Sequence, residues 1–127
     1  MALVLLIDDD PFYCGLIQQA LADGGHVVVT ARDGVEGIAR YRDQSPDLVI
    51  TDMRMPGVDG GEVIRNLRGI DDKARIIAVS GAPTFYDVDY FKLAQEVGAN
   101  TVLRKLDPME RVIVEVNRLL ETAVKGA

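Results

Sequence analysis

A chain of 127 residues with 48% hydrophobic and 27% charged side chains has the composition of one globular domain, 1–127, large enough to bury a core. Its 14 basic and 20 acidic residues leave a net charge of −6 with no basic block, which argues against nucleic acid as a partner. Cys14 has no second cysteine to pair with, and the apolar start Met1–Ile7 lacks the basic lead and the length of a signal peptide or membrane span. A cytoplasmic chain with no membrane partner is therefore expected.

Leu3 to Ile7 is a continuous apolar run, the pattern of a strand covered on both faces. Asp8, Asp9 and Asp10 follow it, and Asp10-Pro11 has the form of a helix start, with Asp10 as cap. Tyr13, Leu16, Ile17, Ala20 and Leu21 share one face of that helix, which Gly24-Gly25 ends. Val27 to Val29 is a second strand, and His26 before it reads as a surface turn residue. Asp33 and Glu36 have capping-box spacing ahead of a weak stripe of Val35, Ile38, Ala39 and Arg42.

Leu48 to Thr51 is the third strand, delivering Asp52 to the turn Met55-Pro56-Gly57. Asp59 to Glu62 is another capping box, leading to Val63, Ile64 and Leu67. Ile76 to Val79 forms a fourth strand closed by Ser80-Gly81. Tyr90, Leu93, Ala94 and Val97 stripe a fourth helix ended by Gly98. Thr101 to Leu103 is the fifth strand, followed by Arg104 and Lys105. Asp107-Pro108 begins the last helix, with the stripe Met109, Val112, Ile113, Val116, Leu119, Leu120 and Ala123. Five β-α repeats predict a parallel sheet with helices on both faces, and this length suits the flavodoxin-like order 2-1-3-4-5.

That order gathers Asp8 and Asp9, Asp52, Ser80 and Lys105 along one rim of the sheet, where ligands bind in such folds. Three carboxylates crowded together call for a proton or a cation, and an all-oxygen set with high negative charge favours a hard ion such as Mg²⁺. A lysine opposite the metal leaves room for an anion between them. Metal, ammonium and hydroxyl around a phosphoryl group stabilise its transfer, with Asp52 as nucleophile.

The segments Leu6-Ile7-Asp8-Asp9-Asp10, Asp52 to Gly60, Ser80-Gly81-Ala82, Gly98-Ala99 and Lys105 together resemble the response-regulator receiver domains of two-component signalling, from about Val4 to Leu120. The resemblance implies Asp52 as phosphoacceptor, Asp9 as a direct Mg²⁺ ligand, Asp8 acting through metal-bound water, and the Arg54 carbonyl as a further ligand. It implies that Ser80 and Lys105 bind the phosphoryl group. A histidine kinase or phosphotransfer protein would be the donor, and helix 4, strand 5 and helix 5 would form a face for homodimers or downstream targets. Self-catalysed phosphorylation and hydrolysis would follow, with no separate metabolite as substrate, and a stand-alone receiver is expected.

The chain departs from the family's pattern at three places. Leu106 stands where a proline, often cis, usually follows the lysine, so a trans Lys105-Leu106 bond is expected, with a slight shift of Lys105 that weakens its phosphate contact. Val102 stands where a switching aromatic is usual. The stretch from Ser80 to Gly98 is long and carries Pro83, Phe85, Tyr86, Asp87, Asp89, Tyr90 and Phe91, a candidate partner surface.

These departures keep open an alternative, a receiver-like scaffold that is never phosphorylated. Arg104 is the neighbouring alternative to Lys105 if the register slips by one. A mononucleotide binder is disfavoured because Asp8, Asp9 and Asp10 would repel its phosphate. A haloacid-dehalogenase-type phosphatase is disfavoured because these aspartates lack its Asp-x-Asp-x-Thr pattern. Cys14 reads as a packed side chain rather than a reactive thiol.

Overall fold

In the computed structural model, residues 1–81, 84–85 and 88–126 are described, except for the side chains of 84, 85, 88 and 122–126. The described chain runs β1 (Leu3–Ile7), α1 (Pro11–Asp23), β2 (Val27–Ala31), α2 (Gly34–Gln44), β3 (Leu48–Asp52), α3 (Gly60–Ile70) and β4 (Ile76–Ser80). Two short strands follow, β5 (Thr84–Phe85) and β6 (Val88–Asp89), then α4 (Tyr90–Val97), β7 (Thr101–Arg104) and α5 (Met109–Gly126).

The main sheet is parallel, in the order β2-β1-β3-β4-β7. With the antiparallel pair β5-β6 set aside, this is the expected flavodoxin-like 2-1-3-4-5 order. β1, β3 and β4 lie inside the sheet and read as apolar runs because both of their faces are covered. Side chains alternate between the faces. Val4, Leu6, Leu48, Ile50, Ile77 and Val79 meet α1 and α5, while Leu5, Ile7, Val49, Ile76 and Ala78 meet the core formed with α2, α3 and α4. Among the described residues no helix is long and apolar enough to cross a membrane.

The inward faces of the helices differ from expectation at two places. In α1 the buried residues are Tyr13, Cys14, Ile17 and Leu21, while Leu16 is 40% exposed. In α2 the expected stripe is wrong: Val35 is 68% exposed, and the face turned inward is Gly34, Gly37 and Tyr41. At its two glycines the helix lies too close to the sheet and to α3 for a side chain. A Cβ on Gly37 would come within 2.5 Å of Ile7 Cδ1, and one on Gly34 within 2.8 Å of Val63 Cγ2.

Two further details are local, the first of them a correction. Asp107 does not cap α5, which begins at Met109. Its carboxylate turns back and accepts from the Arg104 N–H at 2.9 Å, while its own N–H donates to the Arg104 carbonyl at 3.0 Å, closing a turn around Lys105 and Leu106. His26 keeps its place in the turn before β2 and is held there by its ring. It is half-buried, its Nδ1 accepts from the Ala2 N–H at 3.2 Å, and its Nε2 lies 3.3 Å from Asn117 Oδ1. The expected capping aspartates Asp10, Asp33 and Asp59 do accept from the first turns of α1, α2 and α3. Pro83, Tyr86 and Asp87, the Phe85 side chain and the Ala123 side chain lie outside the described residues.

Candidate functional site

Each site residue is placed by the end of a strand. Ile7 ends β1, and the Asp8 N–H donates to the Ala31 carbonyl at 3.0 Å, which carries the β1-β2 ladder one residue further. Asp8 is 1% exposed, and its Oδ1 accepts from the Asp10 N–H at 2.9 Å. Asp9 is exposed beside it. Asp52 is the last residue of β3, 5% exposed, with Oδ1 accepting from the Arg54 N–H at 3.3 Å. Behind it, the start of α3 presses against the loop. Gly60 donates to the Met53 carbonyl at 3.0 Å, and a Cβ on Gly60 would meet Asp52 O and sit 2.6 Å from Met53 Cα.

Ser80 is the last residue of β4 and 1% exposed. Its carbonyl accepts from the Lys105 N–H at 3.1 Å, which fixes the start of the turn after β7. From there the Lys105 ammonium reaches back to 2.8 Å from Asp8 Oδ2 and 3.4 Å from Asp52 Oδ2. Arg104, the alternative at this rim, instead lies over the Phe91 ring, 5.4 Å from its centroid. No cis peptide bond occurs among the described residues, so the Lys105-Leu106 bond is trans as expected, and Lys105 still reaches the carboxylates.

Carboxylate oxygens of Asp8, Asp9 and Asp52 all lie within 4.8 Å of one another, close enough to share one metal ion. A cavity of about 620 Å³ opens over them, walled by Asp9, Asp52, Arg54, Gly81 and Lys105, with Met55, Pro56, Gly57, Asp59 and Tyr90 completing it. Arg54 thus serves the site twice, through its backbone N–H to Asp52 and as a residue of the cavity wall.

The electrostatics follow from burial and crowding. Burial, reinforced by the neighbouring Asp8 charge, pushes the Asp52 carboxyl up to about 6, against the pull of Lys105. Burial also raises Asp8, though Lys105 and the Asp10 N–H oppose it. Burial alone would lower the Lys105 ammonium, but its bond to Asp8 and the Asp52 charge outweigh that, and its affinity for the proton is raised. Two acids whose ionisation is resisted and one cation between them form a site short of positive charge, which a divalent ion would supply. Cys14 donates weakly to the Asp8 carbonyl at 3.6 Å, and burial pushes its thiol up to about 11, in keeping with a packed rather than a reactive residue.

A family model described as the response regulator receiver domain matches residues 4–117. The chain belongs to this family. It is 32% identical over 119 residues to the chemotaxis protein CheY of Bacillus subtilis, spanning 92% of this chain and 96% of that one. It is 30% identical to the transcriptional regulatory protein TrcR of Mycobacterium tuberculosis, matching 98% of this chain but 54% of the longer relative. Among solved structures, a receiver domain protein of Clostridium thermocellum superimposes with a TM-score of 0.90 at 29% identity, covering all of both chains.

In the sequence Tyr13 is an apolar stripe position, Tyr90 a stripe position and part of the aromatic segment, and Asp59 the cap of α3, which it is, accepting from the Glu62 N–H at 2.9 Å. Only the fold shows that these structural positions also face the cavity or the lysine.

Proposed function

We propose that the whole chain, 1–127, is a phosphoacceptor receiver that takes a phosphoryl group from the phosphohistidine of a histidine kinase or phosphotransfer protein and changes its protein contacts as a result. One observation carries this reading above the others: the Lys105 ammonium stands within reach of Asp52 at the mouth of a cavity that also holds Asp9.

The oxygen-only donor set of Asp8, Asp9 and Asp52, with the Arg54 carbonyl as a further ligand, fits Mg²⁺ better than a softer metal. Bound there, Mg²⁺ would neutralise both the carboxylates and the transferring phosphoryl oxygens. Asp52, with its carboxyl near 6, is mostly ionised at neutral pH and able to attack. Its oxygen forms the new bond to phosphorus as the phosphorus–nitrogen bond of phosphohistidine breaks, and the imidazole leaves with that electron pair. Lys105 then exchanges a carboxylate oxygen for a phosphoryl oxygen. The Ser80 hydroxyl, at the buried end of β4, takes another and ties that strand to the phosphorylation state.

Water reverses the modification by hydrolysing the acyl phosphate, so the chemistry acts on the chain itself and not on a separate metabolite. The output is protein contact, with the α4-β7-α5 face as the surface for a target or a second copy. Neither nucleic acid nor a membrane enters the proposed cycle, which is placed in the cytoplasm.

The test is transfer from a radiolabelled, autophosphorylated kinase drawn from the host's own set, with and without Mg²⁺, and with Asp52→Asn as control. Label moving to the wild-type chain only with Mg²⁺, and never to Asp52→Asn, supports the proposal. A chain left unlabelled by every kinase, and forming no beryllium fluoride adduct, would favour the phosphate-independent scaffold.

A further inference from the structure

Lys105 has an unusual setting for a residue that must change partners. Its backbone is fixed by the bond to the Ser80 carbonyl, and the Arg104–Asp107 pair closes the turn that follows. The next side chain, Leu106, is 90% exposed and offers the lysine nothing to pack on. Yet the Lys105 side chain is only 18% exposed. On α1, Tyr13 is 4% exposed, and the Lys105 ammonium lies 5.0 Å from its ring centroid, within cation–π range. The Tyr13 hydroxyl is buried without a hydrogen-bond partner among the described residues, so the ring, not the hydroxyl, does what this residue does here.

We propose that Tyr13 is a positioning residue whose ring face holds the Lys105 ammonium beside Asp52, in place of any packing from the residue after the lysine. The proposal rests on the phosphoacceptor reading above. Its physical core is that Lys105 has charged partners which are also candidate metal ligands. At rest the ammonium is nearer Asp8, at 2.8 Å, than Asp52, at 3.4 Å. A cation shared by those carboxylates weakens their hold on the lysine. The ring is neutral and is not a metal ligand, so its attraction persists when the carboxylates are occupied. The lysine is then kept within reach of Asp52 rather than released to solvent. Arg104 over Phe91 is the matching arrangement one residue earlier, so consecutive cations of this strand end lie on rings from α4 and α1.

The test has two readouts. In metal-free protein, the side-chain methylene protons of Lys105, assigned by comparison with Lys105→Arg, should be shifted upfield by the ring in wild type and in Tyr13→Phe, and should return to ordinary values in Tyr13→Leu. In the second, the initial rate of Mg²⁺-dependent labelling by acetyl phosphate should be kept in Tyr13→Phe and fall about three- to tenfold in Tyr13→Leu, the range for one partly desolvated cation–π contact. Replacing Tyr13 by a heavily fluorinated phenylalanine keeps the packing but removes the electron-rich face. That variant should label at the Tyr13→Leu rate, and it decides the matter even if Tyr13→Leu folds poorly. On a Lys105→Met background none of these changes should alter the residual rate further.

Equal labelling by the phenylalanine and fluorinated variants, or Lys105 protons without a ring shift in wild type, would overturn the proposal. A wild-type chain that never labels would instead remove the phosphoacceptor reading, while the ring shift would still report whether Tyr13 holds the lysine.

Discussion

Lys105 is bound more closely to Asp8 than to the proposed phosphoacceptor: its ammonium lies 2.8 Å from Asp8 Oδ2 and 3.4 Å from Asp52 Oδ2. The lysine thus acts as an internal counterion for the carboxylates that would hold a metal. A cation entering the cluster would compete with it, exchanging one positive partner for another.

This competition can be measured. Lys105→Met removes the resident cation and should tighten Mg²⁺ binding by roughly three- to tenfold, the effect of about 1 kcal/mol of lost competition, while labelling of Asp52 falls. Isothermal titration of the two proteins with Mg²⁺ checks the first half. Weaker Mg²⁺ binding in Lys105→Met would show that the lysine organises the cluster and does not compete for it.

The raised carboxyl of Asp52 sets a pH dependence with a definite sign. Its pKa in the fold, about 6, lies above the ordinary 3.8, so between those values the native state binds more protons than the unfolded chain. Metal-free protein should therefore lose stability from this group as pH rises from about 4 to about 6, and the penalty persists above that. Asp52→Asn removes the ionisation and should be more stable than wild type at pH 7 by about 1–3 kcal/mol. The gap should narrow towards pH 4. Urea melts in the presence of a chelator, at several pH values, give both numbers. A wild-type chain more stable than Asp52→Asn at pH 7 would mean that Lys105 outweighs burial.

Gly60 and Gly15 make a matched pair. A Cβ on Gly60 would press on the backbone at Asp52 and Met53, which cannot swing aside. Gly60→Ala should cost about 1–3 kcal/mol and weaken Mg²⁺ binding by shifting Asp52. Gly15 lies in the exposed face of α1 with nothing within 4 Å of its would-be Cβ. Gly15→Ala should stabilise by about 0.4–1 kcal/mol with the site unchanged. Thermal melts and Mg²⁺ titrations of both variants separate close approach at the site from general helix propensity.

Much of this arrangement was legible in the residues because it is written in side chains that break a pattern. Asp8 and Asp52 end apolar runs, Ser80 and Lys105 follow others, and a parallel sheet with one connection rule brings those ends to one rim. What escaped was written in missing side chains or in double use. The inward face of α2 is Gly34, Gly37 and Tyr41, and the two glycines carry no hydrophobic signal at all. Asp107 has the spacing of a helix cap but answers the Arg104 N–H, because a turn that leaves a strand needs an acceptor there. Tyr13 counts as core in a periodicity and becomes a neighbour of Lys105 only when α1 is laid against the sheet. Trans geometry at Lys105-Leu106 was foreseeable, and the Lys105 ammonium stands 3.4 Å from Asp52 Oδ2 with that bond trans.

The most direct measurement is a crystal structure of the chain with Mn²⁺ in place of Mg²⁺ and with beryllium fluoride, read by the anomalous signal of the metal. The expected result is one metal peak ligated by Asp9 and Asp52, the fluoride adduct on the Asp52 carboxylate, and the Lys105 ammonium moved from Asp8 onto a fluorine. Metal bound elsewhere, an Asp52 carboxylate left bare, or Lys105 still paired with Asp8 beside an occupied site would contradict it.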